Sequence, residues 1–371
     1  MTAKSRGRAP AAEEGQFTAV RGYFLVLSPS ASSSRRLPLD FTAASSSDLL
    51  PLPVEEGRYV VRCLRGAEAL PAQPLAYDPF LYLTPAHLAL QQAPGEQLHF
   101  YLEDLRHHHT VGQLHVFLSK AGAVAYSPWQ APFGSAQLAP GLPADVVSSF
   151  LGLVEDQLKL QGVQQFQIRS YPFCYDAAGS ALLTQALTQQ GFSITQTELN
   201  NHLPLDQEFE ARLHPSERRR LRKCERNGFR VEQEPPLLLP LAYEFLSRCR
   251  QEKGQHLSLP LERLQELFRL FPNNYFLFSV RAAAGEWAAL TVAIRVNEQV
   301  LYNFYPASPL AYNAFSPVVM LNAGLHAFGK ASGMQLLDLG TSMLPEGPNY
   351  SLLQFKRHLG GVLSLKLTFE K

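Results

Sequence analysis

Two charged residues near the end of the chain have the types and the spacing to bind a polar substrate. Asp338 ends an apolar stretch that predicts a strand, Gln335 to Leu339, and Lys356 lies in the predicted helix Asn349 to His358 that follows. Open sheets bind ligands beyond the carboxyl ends of their strands, which is where this aspartate falls. The carboxylate could orient a substrate amine and the ammonium could hold an anionic group. Loop capping by Asp338 and a solvated helix lysine are the alternatives.

Two tyrosines lie in a neighbouring predicted strand, Gln299 to Tyr305. Tyr302 and Tyr305 are three residues apart, so alternation along a strand sends them to opposite faces. At most one of them can face the crevice while the other packs in the core. Tyr305 is nearer the strand end, and both are kept as candidate site residues.

A predicted helix from Pro317 to Ala331 offers a place for a phosphate. Ser316 is the expected N-terminal cap, with Pro317 in the first turn. The unpaired N–H groups of a first turn and the helix dipole attract anions, which makes Ser316, Val318 and Val319 the candidate cofactor-binding residues.

A strongly basic helix is predicted from Pro215 to Asn227, ending at a Gly228 cap. Arg222 and Lys223 are its candidate substrate-binding residues. Such a cluster could bind the phosphates of tRNA, the acidic helix of an acyl carrier protein or a lipid-linked cell-envelope precursor, or it could be a solvated face. Its cations are Arg212, Arg218, Arg219, Arg220, Arg222, Lys223 and Arg226.

The composition is typical of a globular protein without a strong overall electrostatic field. The 371 residues are 46% hydrophobic and 18% charged with a formal net charge of +1, so a nucleic acid or anionic membrane could be bound only by a local patch. Four dispersed cysteines and the adjacent histidines 107–109 lack metal-site spacing, so no metal site is expected. No apolar run suits a membrane span, and a cytoplasmic location is expected. Residues 1–15 are expected to be a disordered tail without a secretion signal.

The order of predicted elements divides the chain into two similar halves. In each half, a helix is followed by a strand or an antiparallel meander, and then by a further helix and a further strand. This order predicts a mixed α/β fold with two tandem domains, at residues 16–205 and 206–371. Residues 16–75 form a β-leaning prelude to the first domain. Each domain is expected to hold a central mixed sheet flanked by helices.

Three segments resemble the FemAB-like acyltransferases of the GNAT superfamily. They are residues 333–340 with 347–350 and 355–360, the basic run 218–229, and the loop 131–135. The resemblance covers about residue 75 to the C-terminus and implies two tandem GNAT-like domains. It implies transfer of an acyl or aminoacyl group to an amine acceptor, which would be a small molecule or a cell-envelope precursor. Lys356, Asp338 and a tyrosine would serve the reaction, and Asn349 and Phe355 would contact the substrate.

The donor is left open by the same comparison. Ordinary GNAT enzymes place a glycine-rich pyrophosphate loop before the helix at Pro317, and residues 311–317 depart from it completely. Acyl-CoA, an acyl carrier and aminoacyl-tRNA therefore stay possible co-substrates, with no tightly bound cofactor expected. The alternative function is a catalytically silent tandem module that binds a phosphorylated or nucleic-acid partner through residues 212–226.

Overall fold

A computed structural model describes residues 49–55, 57–66, 70–344 and 346–371. The described chain has a mixed α/β fold with helices on both faces of its central sheet, as the sequence predicted. The sheet is one continuous set of fourteen strands, whereas the sequence predicted a separate sheet in each of two domains. The strands are β1 Leu49–Pro51, β2 Tyr59–Arg65, β3 Gln97–Asp104, β4 His109–Leu118, β5 Val124–Ser127, β6 Gln137–Leu138, β7 Gln165–Arg169, β8 Ser193–Pro204, β9 Arg230–Glu234, β10 Tyr275–Arg281, β11 Trp287–Arg295, β12 Val300–Asn303, β13 Leu336–Thr341, β14 Met343–Leu344, β15 Gly347–Pro348 and β16 Val362–Glu370. The helices are α1 Pro85–Leu88, α2 Ala144–Leu160, α3 Ala177–Gln189, α4 Phe209–Arg212, α5 Pro215–Arg226, α6 Leu239–Gln251, α7 Leu261–Leu270, α8 Val318–Ala331 and α9 Tyr350–His358.

The sheet contains two antiparallel meanders, one from each half of the sequence. Its strand order is β1, β2, β3, β4, β5, β7, β16, β8, β13, β12, β11, β10, β9, with β6 paired to β4 and with β14 and β15 forming a separate pair. Each meander is followed by a parallel pair, β5 with β7 and β12 with β13. The two halves therefore repeat one arrangement.

The halves exchange their last strands at the middle of the sheet. β8, from the first half, pairs with β13 of the second half, and β16, from the end of the chain, pairs with β7 of the first half. β8 and β16 also pair with each other along most of their lengths. The domain boundary at residue 205 stays a prediction, but the backbone hydrogen bonds of the sheet cross it.

Helix and strand periodicity explains how the layers form. Along α2, Val146, Phe150, Val154 and Leu158 recur every four residues and are buried against the first half of the sheet. In β10, Leu277 contacts the core below α6 and α7, whereas alternate residues contact the core below α8. Helices thus cover both faces of the second half.

Several sequence-based boundaries need correction. The sequence predicts a strand from Phe192 to Thr197, whereas β8 continues to Pro204, where it pairs with β13 as well as β16. β12 ends at Asn303, so Tyr305 lies outside the strand. Thr84 and Pro85 predict a capped helix through Gln92, but the helix is one turn, Pro85–Leu88, and Thr84 makes no side-chain cap.

The termini of other elements agree with the prediction. Gly228 follows α5 with φ +72°, the left-handed conformation expected of a C-terminal glycine. The residues of the β-leaning prelude before residue 49, and the predicted tail, lie outside the described residues. Within the described part of the chain, no helix combines the length and apolar composition needed to cross a bilayer.

Candidate active site

Asp338 lies in β13 at the centre of a buried hydrogen-bond network. It is 2% exposed, and three groups donate to its carboxylate. The Tyr175 hydroxyl donates to Oδ2 at 2.6 Å, while Asn200 Nδ2 and the Gly340 N–H donate to Oδ1 at 2.8 Å each. A buried carboxylate needs such donors, because the desolvation of an unpaired charge is costly.

The donors connect the two halves of the sequence. Tyr175 ends a short 3-10 helix, Phe173–Tyr175, of the first half, and Asn200 lies in the exchanged strand β8. Burial first, and then the charge of Asp338, raises the pKa of Tyr175 well above its ordinary value, so the phenol stays protonated and can donate. The aspartate therefore depends on residues more than a hundred positions away.

Lys356 contacts the same strand through an irregularity in its pairing. The register between β13 and β8 shifts between Asp338 and Thr341, where Gly340 has φ +74°. Lys356, on α9 and 5% exposed, donates through Nζ to the carbonyl oxygens of Gly340 and Thr341 at 2.8 and 2.9 Å. Its ammonium thus stabilises the bulge that ends the aspartate strand.

Burial changes the ionisation of this lysine. Desolvation lowers the pKa of Lys356 from 10.5 to about 8, although the nearby charge of Asp338 opposes the change. Near neutral pH most of the ammonium remains charged, with a substantial neutral fraction at slightly alkaline pH. The predicted contact of Lys356 with an anionic substrate group stays a prediction, because its two described hydrogen bonds go to backbone carbonyls.

A continuous row of polar side chains crosses one face of the sheet at this point. The cross-strand register places Glu198 opposite Lys366 and Asn200 opposite Ser364, and places Asp338 beside Tyr302. The row also includes an arginine of β7, because its partner Thr368 lies two residues from Lys366. We call this row the polar stripe: Arg169, Lys366, Ser364, Glu198, Asn200, Asp338 and Tyr302.

Buried polar atoms near Asp338 have unused hydrogen-bonding capacity. The Oδ1 atom of Asn200, Nδ1 of His202 and the hydroxyl of Tyr82 are buried without a partner among the described residues. Burial raises the pKa of Tyr82 well above its ordinary value, and Asp338 contributes to the same change, which places the phenol within electrostatic range of the carboxylate. A buried polar atom without a partner costs free energy, so a ligand that pairs with it would bind more tightly.

A cavity of about 1150 Å³ lies beside the polar stripe. Tyr82 lines it from the first half of the chain and Phe304 from the second, and Arg169 of the stripe is also in its wall. Phe304 contacts the ring of Tyr302 with centroids 5.5 Å apart, which brings the cavity close to Asp338. Such a volume is large enough for a small-molecule ligand.

The two predicted tyrosines have different surroundings. Tyr302 pairs with Asp338 in the register of β12 and β13 and belongs to the polar stripe. Tyr305 is buried, and its hydroxyl bonds to the Ser258 hydroxyl at 2.5 Å and accepts from the Leu259 N–H at 3.0 Å. Tyr305 therefore anchors the loop before α7, and Tyr302 is the better placed of the two.

The predicted substrate-binding residues of α9 are occupied by structural contacts. Asn349 caps the helix, with its side chain accepting from the Leu352 N–H at 3.1 Å. Phe355 packs against the core under α8. A direct substrate contact stays a prediction for both.

Most cations of the basic helix α5 have partners within the protein. Lys223 donates to the Ala314 carbonyl at 2.8 Å and lies over the Phe315 ring, and Arg222 is exposed with Glu210 at 3.8 Å. The others with a described partner are Arg218 with the carbonyls of Glu210 and Leu213, Arg220 with Glu217, and Arg226 with the Arg222 carbonyl. Arg212, which the structure places at the end of α4 and not in α5, pairs with Asp206. These contacts reduce the charge available to an outside phosphate.

The N-terminus of α8, which was predicted to bind a phosphate, differs from the prediction in its capping. Ser316 does not cap α8, because Pro317 occupies the cap position without a side-chain cap and Ser316 has φ +54°. The Val319 N–H donates to the Ser316 carbonyl at 3.0 Å, and the Val319 side chain is 0% exposed. Val318 packs against the same core. Binding of a cofactor by these residues stays a prediction.

Sequence reasoning missed four residues of this region: Tyr82, Arg169, Tyr175 and Asn200. All four belong to the first half of the chain. Asn200 lies in the exchanged strand β8, Arg169 ends β7, and Tyr82 and Tyr175 lie in short 3-10 helices. A weak pattern was available for Asn200, since Leu199, Leu203 and Leu205 alternate with polar residues and could have extended β8.

Comparisons with known proteins identify the fold. No family model matches the sequence, and no curated protein matches it. The structure of FemX is similar, with a TM-score of 0.56 and 14% identity over 73% of this chain and 87% of FemX. The protein therefore has the FemAB-like GNAT fold that the sequence predicted.

Two further solved structures match with lower scores. A tandem GNAT protein from the clavulanic acid biosynthesis pathway has a TM-score of 0.44 and 11% identity, covering 74% of this chain and 82% of that one. L-PGS from Bacillus licheniformis has a TM-score of 0.47 and 14% identity, covering 70% and 81%.

Proposed function

We propose that this protein is an N-acyltransferase. It would transfer an acyl or aminoacyl group from a CoA, carrier-protein or tRNA donor to an amine acceptor. The observation that carries the proposal is the buried carboxylate of Asp338, which accepts hydrogen bonds from residues of both halves. It belongs to the same polar stripe as Arg169, which lines a ligand-sized cavity. The FemAB-like fold supports the same class of reaction.

The residues around Asp338 suit the acceptor amine. The Asp338 carboxylate already accepts three hydrogen bonds, which makes it a fixed negative charge that orients a substrate more readily than a base that removes a proton. Asn200 Oδ1 is an unpaired acceptor beside it and can receive an amine N–H. Together these groups would direct the nitrogen lone pair towards the donor carbonyl.

The reaction then requires little further chemistry from the protein. The amine nitrogen attacks the carbonyl carbon of the thioester or ester, the new C–N bond forms, and the bond from carbon to the carrier sulfur or oxygen breaks. The proton lost by nitrogen leaves with the carrier as its thiol or hydroxyl. A hydroxyl donor such as Tyr82 or Tyr302 would stabilise the charge that develops on the carbonyl oxygen.

The test combines ligand analysis with a donor screen. Purified protein would be incubated with acetyl-CoA, acyl carrier protein or mixed aminoacyl-tRNA and a panel of amines, with products detected by mass spectrometry. We expect transfer from one donor class, and a loss of at least about 100-fold in Asp338→Asn. Asp156→Asn, a change at an exposed carboxylate of α2, is the matched control.

Two results would contradict the proposal. One is wild-type turnover in both Asp338→Asn and Lys356→Ala. The other is the absence of transfer from every donor together with uncharged RNA as the sole co-purified ligand, which would indicate a binding module instead.

A further inference from the structure

The cavity contains a cation without a described partner. Arg169, at the end of β7, lines the cavity and is partly buried. Its guanidinium makes no hydrogen bond or ion pair with the residues that the structure describes, whereas Arg263 in the same wall binds Glu266 and the Leu90 carbonyl. A partly desolvated guanidinium without a partner is unfavourable, so an anion at this point would stabilise the protein.

A second cation lies on the same face of the sheet. Arg169 pairs with Thr368 of β16, and Lys366 is two residues away on that strand, so the side chains of Arg169 and Lys366 lie on the same face of the sheet. Lys366 is largely buried and has Glu198 at 3.4 Å as its ion-pair partner. Burial lowers the pKa of Lys366, Glu198 opposes the change, and Arg169 adds to it, as expected for neighbouring cations. Glu198 is thus the ion-pair partner of Lys366 and not of Arg169.

The polar stripe connects this positive end to the proposed reaction centre. Ser364, Glu198 and Asn200 lie between Lys366 and Asp338 on the same face. The remaining wall is mixed: Leu259, Leu267, Ile294 and Phe304 supply apolar surface, while Glu262 and Glu266 are among its charged residues. A ligand with an anionic end, an apolar body and an amine would match the two cations, the apolar residues of the wall and the carboxylate of Asp338, respectively.

We propose that Arg169 and Lys366 bind an oxyanion, either a carboxylate or a phosphate, of the acceptor substrate. Describing the ligand as an acceptor rests on the proposed function, but binding of the oxyanion does not. A guanidinium binds either group through paired N–H donors, so the shared chemistry is that of a planar or tetrahedral oxyanion. This site is separate from the basic helix α5, most of whose cations have partners within the described residues.

Isothermal titration of the full chain tests this site without turnover. Inorganic phosphate and N-acetylglycine are the two probes, because they distinguish a phosphate from a carboxylate. We expect at least one of them to bind wild type, and Arg169→Gln to weaken that binding by about 10- to 100-fold, the contribution of a charge-assisted contact. Lys366→Gln should weaken it in the same direction.

The control lies in the same cavity. Arg269→Gln removes an exposed arginine at the rim and should leave the affinity within about twofold of wild type, since exposed charges are screened. Urea unfolding confirms that each variant is folded. The proposal is wrong if neither probe binds wild type, if Arg169→Gln binds as tightly as wild type, or if Arg269→Gln loses as much. A donor screen without transfer would contradict the proposed acyltransferase activity, but it would not affect the conclusion about oxyanion binding.

Discussion

Replacing Lys356 by methionine should remove a specific dependence of stability on pH. In the folded protein, burial lowers the pKa of this lysine from 10.5 to about 8. The unfolded chain therefore binds the proton more tightly, and the free energy of unfolding of wild type rises as pH increases from about 8 to about 10.5. At about 1.4 kcal/mol for each pH unit, the rise amounts to roughly 3 kcal/mol, all of it absent below pH 8.

The measurement is a difference between two proteins. Urea unfolding would be followed for wild type and Lys356→Met at several pH values from about 7 to about 10.5. The variant leaves the Gly340 and Thr341 carbonyls without their donor, which lowers its stability at every pH, so only the slope of the difference is diagnostic. Other titrating groups cancel in the difference.

An exposed lysine gives the control. Lys120 is exposed in the turn before β5. The free energy of unfolding of Lys120→Met should therefore change with pH in the same way as that of wild type. If the difference in free energy of unfolding between wild type and Lys356→Met stayed constant from neutral to alkaline pH, Lys356 would not be buried as described. The contact between α9 and the bulge of β13 would then be wrong as well.

Three further changes test the surroundings of the carboxylate. Tyr175→Phe removes a donor from buried Asp338 and should lower the free energy of unfolding by about 1.5–3 kcal/mol in urea titrations; an unchanged value would mean that the 2.6 Å contact contributes nothing. Tyr82→Phe should leave the melting temperature unchanged or higher, because its hydroxyl has no described partner, while lowering kcat/KM at least about tenfold; Tyr77→Phe, another unpartnered phenol, should change neither, and equal activities of the two variants would argue against a role in transfer. Gly340→Ala should destabilise by about 1–2 kcal/mol in the same titrations, since φ is +74° and the added methyl carbon would lie 3.3 Å from a tyrosine ring; wild-type stability would show that the bulge can relax.

Sequence reasoning was most successful for the local order of elements. The predicted strand Gln335 to Leu339 and helix Asn349 to His358 correspond to β13 and α9, and Asp338 and Lys356 both lie at the bulge of β13. Their roles towards a substrate stay predictions. Short strand-to-helix connections restrict where the second element can lie. The meander and helix order of each half was predictable for the same reason.

Contacts across the middle of the sheet were not predictable in this way. Tyr175 and Asn200 are 163 and 138 residues from Asp338, and their meeting depends on the exchange of β8 and β16. No local pattern specifies which strand of the other half an edge will accept. The expected cap at Ser316 failed for a different reason, because the left-handed backbone of that residue turns it away from the cap position.

The unbroken sheet also determines how a ligand can enter the cavity. Clam-shell opening of the two halves about a hinge would have to break the backbone pairing of β8 with β13 or of β16 with β7, which joins both halves in one sheet. A ligand would therefore enter and leave at the rim of the cavity, between residues 130–132 of one half and residues 258–260 of the other. A cross-link between those two segments should trap the occupant while leaving the rest of the molecule undisturbed.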